Sequence, residues 1–345
     1  MDKDRFVFQS FWFGQTVSPY EKMCFRSFVD HGHSLHLYTY SRNLDIPAGV
    51  VVKDASEIVD ANQVFTYKTG VGCGSYSAFS NVFRYKLLYE RGGWWVDTDV
   101  VCLSSRVPHF HEFFAFQEPD VINGAVLCFE KGDPLMLNCF QEASRIGDQA
   151  TWGQIGPLLI TRMLDEKDRA ATAHPAVTCY PIHYSEALNV LRPSLAASLT
   201  ERLGESMFLH LWNEMFRRAK VSKTTLPPKG SLLRRIADKH NVDGWRGEYE
   251  TEFLEEAIAI RYELECLREE CRSEPERATK EKEELQQKLE RALKQNAELQ
   301  AKADRLTKEV KESTLKYRLL HPLKPLNRLK VSRLKATLRQ NKNDG

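Results

Sequence analysis

FSNVFRYKLLYERGGWWVDTDVVCL, Phe79 to Leu103, is the stretch whose reading decides the fold. Apolar Phe79, Val82, Phe83 and Leu87 recur at helical spacing, so its first half predicts an amphipathic helix with one face on a core. Gly92 and Gly93 stop that helix, because a glycine after the last periodic residue takes the left-handed conformation that ends one. Trp94, Trp95 and Val96 then read as a short buried strand. Asp97, Thr98 and Asp99 fall at its exit, the carboxyl end of a strand, where open α/β sheets place their ligands.

The setting carries this D-x-D, because a chain of ordinary composition and this length holds roughly one such pair by chance. Asp2-Lys3-Asp4 answers to that description: it sits in a charged N-terminus with no strand before it. Asp97 and Asp99 follow a helix, a glycine pair and an apolar strand.

Working outward toward the N-terminus, Phe6 to Phe13 reads as a first strand ending at Gly14, with Trp12 near its exit. Ser18 and Pro19 form an N-cap and first-turn pair for a helix through about Asp30, and Ser34 to Tyr40 alternates as a second strand. Strand, helix, strand in this order is the first crossover of a parallel sheet, so the class is α/β. His31, His33 and His36 match no ordinary zinc spacing and read as loop histidines. Asp54 caps a short helix, and Ala61 to Gly74 is too irregular to assign, as a loop near a ligand site can be.

Toward the C-terminus, Phe113–Gln117 and Val121–Phe129 read as strands, the second interrupted at Ile122-Asn123-Gly124, where a glycine permits close ligand approach. Pro157 opens a helix, and Met207 to Trp212 is an alternating strand carrying His210.

The chain has 345 residues and 18 glycines, of which only Gly244, Gly247 and Gly345 lie beyond residue 231, so a glycine-poor appendage follows a globular part. The expected boundaries are an α/β domain over 1–231, ending at the turn cluster Pro227-Pro228-Lys229-Gly230, a helical linker over 232–275, a coiled coil over 276–315 and a basic amphipathic tail over 316–345. A net charge of +2 gives no electrostatic case for nucleic acid, and none is expected as a partner. The 8 cysteines are scattered with no C-x-x-C, which predicts buried thiols. MDKDRFVFQS lacks the features of a secretory signal and no apolar run has transmembrane length, so the expectation is a cytoplasmic protein.

Ser80, Asn81, Arg84 and Tyr85, followed by Gly92, Gly93, Trp95, Asp97 and Asp99, resemble the D-x-D sugar-binding region of nucleotide-sugar glycosyltransferases. That group includes capsular polysaccharide and α-1,4-galactosyl transferases, yeast-type mannosyltransferases and the glucosylating clostridial toxins. The resemblance extends from about Phe6 to about Arg218 and implies a GT-A, Rossmann-like domain. Many members have Ser-Asp where this chain has Ser80-Asn81, so the nucleoside contact passes to an uncharged amide able to bond a ribose hydroxyl.

The resemblance also implies roles. Trp12 stacks on the nucleobase, and Asn81, Arg84, Trp95 and Asp97 hold the donor, with Arg84 otherwise a structural ion-pair partner. Asp99 is the principal metal ligand, supported by Asp97 and by His210 in His210-Leu211-Trp212-Asn213, with Asp97, Asp99 and Arg84 as the catalytic set. Asn123 and Gln154, the latter in Trp152-Gly153-Gln154-Ile155-Gly156-Pro157, face the sugar or acceptor. The donor would be a nucleotide sugar of the UDP kind, the acceptor a glycan or a lipid-linked glycan as in polysaccharide biosynthesis, and the outcome retention.

The chemistry suits these residue types. Diphosphate charge grows as the anomeric bond breaks, and carboxylates hold a hard cation such as Mn or Mg against it. Glycoside hydrolysis also uses paired carboxylates, but its pair sits about 5–10 Å apart across a sugar. A non-catalytic sugar-nucleotide-binding coiled-coil scaffold is the alternative outside enzymology, and intact Asp97, Asp99 and Arg84 speak against it.

Leu285, Leu289, Ala292, Asn296, Leu299, Ala303, Leu306 and Val310 form a heptad seam that predicts a parallel homodimer, with Asn296 at an a position specifying two strands. An earlier stripe of Phe253, Ala257, Ile260, Leu264 and Leu267 packs on the catalytic domain or extends the coil. Lys316 to Lys342 has nine basic residues, no acid and interleaved leucines, a pattern for peripheral attachment to an anionic inner-membrane surface.

Overall fold

The computed structural model of the protein describes residues 6–270 and 277–320. The chain opens with β1 (Val7–Trp12), α1 (Pro19–Asp30), β2 (Ser34–Thr39) and β3 (Val50–Asp54), and continues with α2 (Ser77–Arg91), β4 (Gly93–Val96) and β5 (Val100–Cys102). The hairpin of β6 (Phe113–Glu118) and β7 (Val121–Phe129) leads to α3 (Pro134–Ile146) and α4 (Pro157–Asp165). Then come α5 (Ala196–Leu203), β8 (Phe208–His210), α6 (Asn213–Arg218), α7 (Leu232–His240), α8 (Thr251–Glu270) and α9 (Arg277–Leu320).

The α/β class stands, with a mixed sheet: six strands in the order β3-β2-β1-β4-β7-β6, beside a two-stranded sheet of β5 and β8. β3, β2, β1 and β4 run parallel, whereas β7 and β6 are antiparallel to their neighbours. The order follows from the connections. After β1 the chain builds outward through β2 to β3, then returns through α2 to lay β4 on the other edge of β1. The order therefore reverses between β1 and β4, which creates a crevice at their carboxyl ends.

Local signals act as their chemistry requires. Pro19 occupies the first turn of α1, and Glu21 accepts a hydrogen bond from the Ser18 backbone N–H at 3.2 Å. α2 ends at Gly92 with φ +68° but ψ −169°, so the stop is not the left-handed helical one expected from sequence. A Cβ at Gly92 would lie 2.5 Å from the Lys131 backbone nitrogen, and the β4–β7 pairing needs that close approach.

β4 is buried on both faces, as an internal strand must be. Trp95 points into the cluster built by Phe79, Phe83 and Phe114, while Trp94 and Val96 join Phe8, Phe113 and Phe208 in the other. A third cluster contains Val101 of β5 and Leu209 of β8 together with Leu232, Leu233, Ile236 and Ala237 of α7 and Leu254 and Ile258 of α8. Packing therefore continues past residue 231. Pro227 to Gly230 is a turn that leads into Ser231, which caps α7 by accepting from the Arg234 N–H, and it does not mark the edge of the core.

Of the stripe read on α8, Ala257 and Leu264 are buried, joined by Leu254 and Ile258, and the Tyr262 hydroxyl accepts a hydrogen bond from the Leu188 N–H at 3.1 Å. Contacts divide the chain into two units, 1–296 and 297–345. Residues from 321 onward, which carry most of the basic tail, lie outside those described.

The seven described cysteines are free, and five of them are buried. His31 and His33 bond the backbone oxygens of Ser27 and Ser104; His33 is buried and His36 lies within β2, so His36 is not in the loop where it was expected. Among the described residues no helix is long and apolar enough to cross a membrane.

Candidate active site

The crevice at the carboxyl ends of β1 and β4 is a cleft of about 860 Å³. Its floor is made where β4 passes into β5. Asp97 follows the last residue of β4 and its N–H bonds the Ala125 carbonyl at 2.8 Å, which keeps it in the large sheet. Asp99 precedes β5, whose Val100 pairs with His210 of β8. That pairing brings together residues far apart in sequence: Asp97, Asp99 and His210 offer ligand atoms that all lie within 4.8 Å of one another. It is the only such group of three or more acidic, histidine or cysteine side chains among the described residues.

Asp99 is 8% exposed. Its Oδ2 accepts a hydrogen bond from the Asn213 N–H at 2.7 Å and lies 3.2 Å from His210 Nε2. Burial by itself raises the pKa of Asp99, but the His210 charge and hydrogen bond and the Asn213 N–H outweigh it and hold the carboxyl at about 2. Asp99 is therefore an anion near neutral pH. His210 is buried with its Nδ1 unpartnered, and its ring lies 4.1 Å from that of Trp212. Trp212 adopts a left-handed φ of +54°, costly for a bulky residue, at the turn that brings the Asn213 N–H to Asp99.

Asp97 receives both of its side-chain donors on Oδ1, Arg84 Nη2 at 2.5 Å and Trp95 Nε1 at 2.8 Å. Arg84 is almost fully buried, donates from Nη1 to Asn81 Oδ1 at 2.9 Å and lies over the Trp95 ring at 5.1 Å. Asn81 in turn donates to the Ser77 carbonyl at 2.9 Å. Gly124 makes room for this assembly, since a Cβ there would stand 2.2 Å from Arg84 Nη1.

Each residue singled out from sequence can now be placed. Trp12, Asn81, Arg84, Trp95, Asp97, Asp99, Asn123 and His210 all line the cleft. Asn81 and Arg84 spend their hydrogen bonds on one another and on Asp97, the structural ion-pair arrangement weighed for Arg84. Asn123 bridges Gln117 Oε1 at 2.6 Å and the Ala125 N–H at 2.7 Å. Trp12 is half-buried, with its Nε1 unpartnered. Gln154 stands apart: it is exposed, outside the cleft lining, and its Oε1 accepts from the Thr151 N–H at 2.9 Å, closing its own turn. Trp152, two residues earlier, lines the cleft in its place, and Trp212, Asn213 and Gly124 complete what sequence reading left unassigned. Gly124 had a signal, a glycine inside a strand; Trp212 and Asn213 had only their nearness to His210.

The donor set fits a divalent cation. Two carboxylates and an imidazole suit Mn, Mg or a similar ion, and the imidazole turns its Nε2 toward Asp99 Oδ2 at 3.2 Å.

The glycosyltransferase sugar-binding region containing the DXD motif matches residues 18–114, and the alpha 1,4-glycosyltransferase conserved region matches 128–240. The first match contains Asn81, Arg84, Asp97 and Asp99, and the second contains His210. The chain is 27% identical over 157 residues to the mouse lactosylceramide 4-alpha-galactosyltransferase, covering 42% of this chain and 44% of that protein. It is 26% identical over 176 residues to the human alpha-1,4-N-acetylglucosaminyltransferase, covering 47% and 49%. The chain thus spans less than half the length of these curated relatives. The PaToxG glycosyltransferase structure aligns over 69% of this chain and 87% of its own at a TM-score of 0.36 and 11% identity, too slight a likeness to argue from. The resemblance read from Phe79 to Asp99 is shown by these matches, and they support an enzyme of the glycosyltransferase kind.

Proposed function

We propose that this chain, which carries the D-x-D and alpha 1,4-glycosyltransferase regions in succession, is a metal-dependent GT-A glycosyltransferase moving a sugar from a nucleotide sugar of the UDP kind to a glycan or lipid-linked acceptor. One observation carries the reading: Asp97, Asp99 and His210 converge at the end of a buried strand, on the floor of a cleft large enough for a nucleotide sugar.

Asp99 and His210 would hold the cation, Mn by preference, with Asp97 completing the set. When bound, the cation supplies Lewis-acid balance for the departing diphosphate. The protein supplies order. The Asn213 N–H fixes one oxygen of Asp99, and Arg84 and Trp95 fix one oxygen of Asp97, so neither carboxylate has to reorganise as charge moves. Trp12, at the exit of β1, takes the nucleobase. Retention of anomeric configuration rests on the family resemblance alone.

The test is a screen of nucleotide sugars for release of the nucleoside diphosphate with and without Mn. Turnover of at least one sugar nucleotide that stops in excess chelator is the expected result, and none across the common hexose and N-acetylhexosamine donors would remove the transferase reading.

A dimer belongs to the same proposal. In α9, Leu299 is 37% and Leu306 52% exposed along the heptad seam, apolar surface that a second copy of the helix would cover. Light scattering is expected to return twice the chain mass at micromolar concentration, and Leu299→Lys with Leu306→Lys to return the single mass. A monomer in the unmutated chain would end the dimer proposal.

A further inference from the structure

The cleft described above has a second character away from its charged floor. Four of its lining residues are large, hydrophobic and well exposed: Val71 at 47%, Tyr76 at 40%, Trp152 at 39% and Leu158 at 58%. An exposed apolar patch continuous with a ligand cleft marks a surface that a ligand covers. The other tryptophans of the cleft are placed differently, since Trp95 and Trp212 are buried and Trp12 is half-buried.

Trp152 is held rather than loose. Its ring packs on Tyr67 at 5.4 Å between centroids, and the Arg218 guanidinium stands 5.6 Å from its centre. The chain at Gly72 runs against it so closely that a Cβ would sit 2.4 Å from Trp152 Cε3, and φ of +82° there is itself a glycine conformation. A large aromatic surface fixed in advance loses little entropy on binding, which is why tryptophan serves so often as a binding anchor.

We propose that Trp152 is the acceptor platform, on which a pyranose ring of the acceptor lays its apolar C–H face, flanked by Val71 and Leu158. This rests on the transferase reading. The chemistry points to the second substrate because the first is provided for elsewhere in the cleft: its diphosphate by the cation that Asp97, Asp99 and His210 would hold, and its nucleobase by Trp12. A group that covers an apolar patch inside the same cleft must arrive on the molecule that reaches that floor. Trp152 thus takes the position that sequence reading gave to Gln154.

Cys73 gives a readout independent of catalysis. It is an exposed free thiol next in sequence to Gly72 and lines the same cleft. In the 345-residue chain carrying Cys266→Ser and Cys271→Ser, with Mn and UDP present, the rate of Cys73 alkylation by N-ethylmaleimide would be measured with and without 100 mM (about saturating for weak sugar sites) maltose, lactose or cellobiose. At least one disaccharide is expected to slow alkylation about threefold or more, with the effect retained in Trp152→Phe and lost in Trp152→Ala. Gly72→Ala, which crowds the indole, is expected to weaken it as well.

Two results would overturn the proposal: no protection by any of the three sugars, or equal protection in Trp152→Ala. Protection by 1,6-hexanediol but by no sugar would assign the patch to an aliphatic group and overturn it too. Absence of nucleotide-sugar turnover in the wild-type chain would remove the transferase reading, while the alkylation result would still decide whether Trp152 holds a sugar.

Discussion

Asp99→Asn is expected to lower Mn-supported nucleotide-sugar turnover by about a thousandfold, roughly 4 kcal/mol of barrier. Asp99 is nearly buried and held at a pKa of about 2, so the wild-type residue brings a full negative charge to the floor of the cleft. An amide keeps the shape and still accepts the Asn213 N–H, which Asp99 does now at 2.7 Å. What it cannot do is balance a cation facing a diphosphate. The unfolding temperature without Mn should fall somewhat, because the interaction of the Asp99 anion with His210 is lost, and the further rise on adding Mn should largely disappear. A cation at about a hundred times its dissociation constant stabilises its binding state by about 2.7 kcal/mol, so the wild-type rise is measurable. Wild-type turnover in Asp99→Asn would remove the residue from the metal site.

Gly124→Ala is expected to cost about a hundredfold in kcat/KM, the scale of an ångström-sized misplacement in a site. The added Cβ would begin 2.2 Å from Arg84 Nη1. Arg84 cannot yield without disturbing its partners, because Asn81, Asp97 and the Trp95 ring surround its guanidinium. Stability should fall by about 1–3 kcal/mol, as for an overpacked core. A double mutant tests the cause. If Gly124 acts only by making room for Arg84, then Gly124→Ala should add almost nothing to Arg84→Met. Additive losses in kcat/KM would mean that the glycine serves something else, such as the sugar itself.

What could be read beforehand was what nearby residues determine. The helix of Phe79 to Leu87, the strand of Trp94 to Val96 and the position of Asp97 and Asp99 at its exit follow from periodicity within one stretch, and the helix stops at Gly92 as read, though not by the left-handed turn expected there. Partners distant in sequence were a different matter. Asn81 was expected to reach a ribose, yet its amide is taken up between the Ser77 carbonyl and Arg84, a choice that depends on where Arg84 is held by Asp97. Gln154 sits in the right segment but closes its own turn, and the neighbour that faces the cleft does so because Gly72, eighty residues earlier, packs against it. Pro227-Pro228 was read as the end of a domain because proline and glycine mark turns equally well inside a fold and between folds; only the burial of Leu232, Leu233 and Ile236 separates the two cases.

The division of the site between two sheets bears on how the protein is made. Asp97 belongs to the large sheet, while Asp99 leads into β5, whose partner β8 carries His210. A nascent chain that has emerged only as far as β7 already possesses both carboxylates, but the proposed cation site lacks the imidazole, and Asp99 lacks the Asn213 N–H. Closing the intervening loop of about a hundred residues is a late and entropically costly event. On the proposed function, a chain released before β8 has docked carries the D-x-D motif without His210 and the Asn213 N–H, and it is expected to be inert.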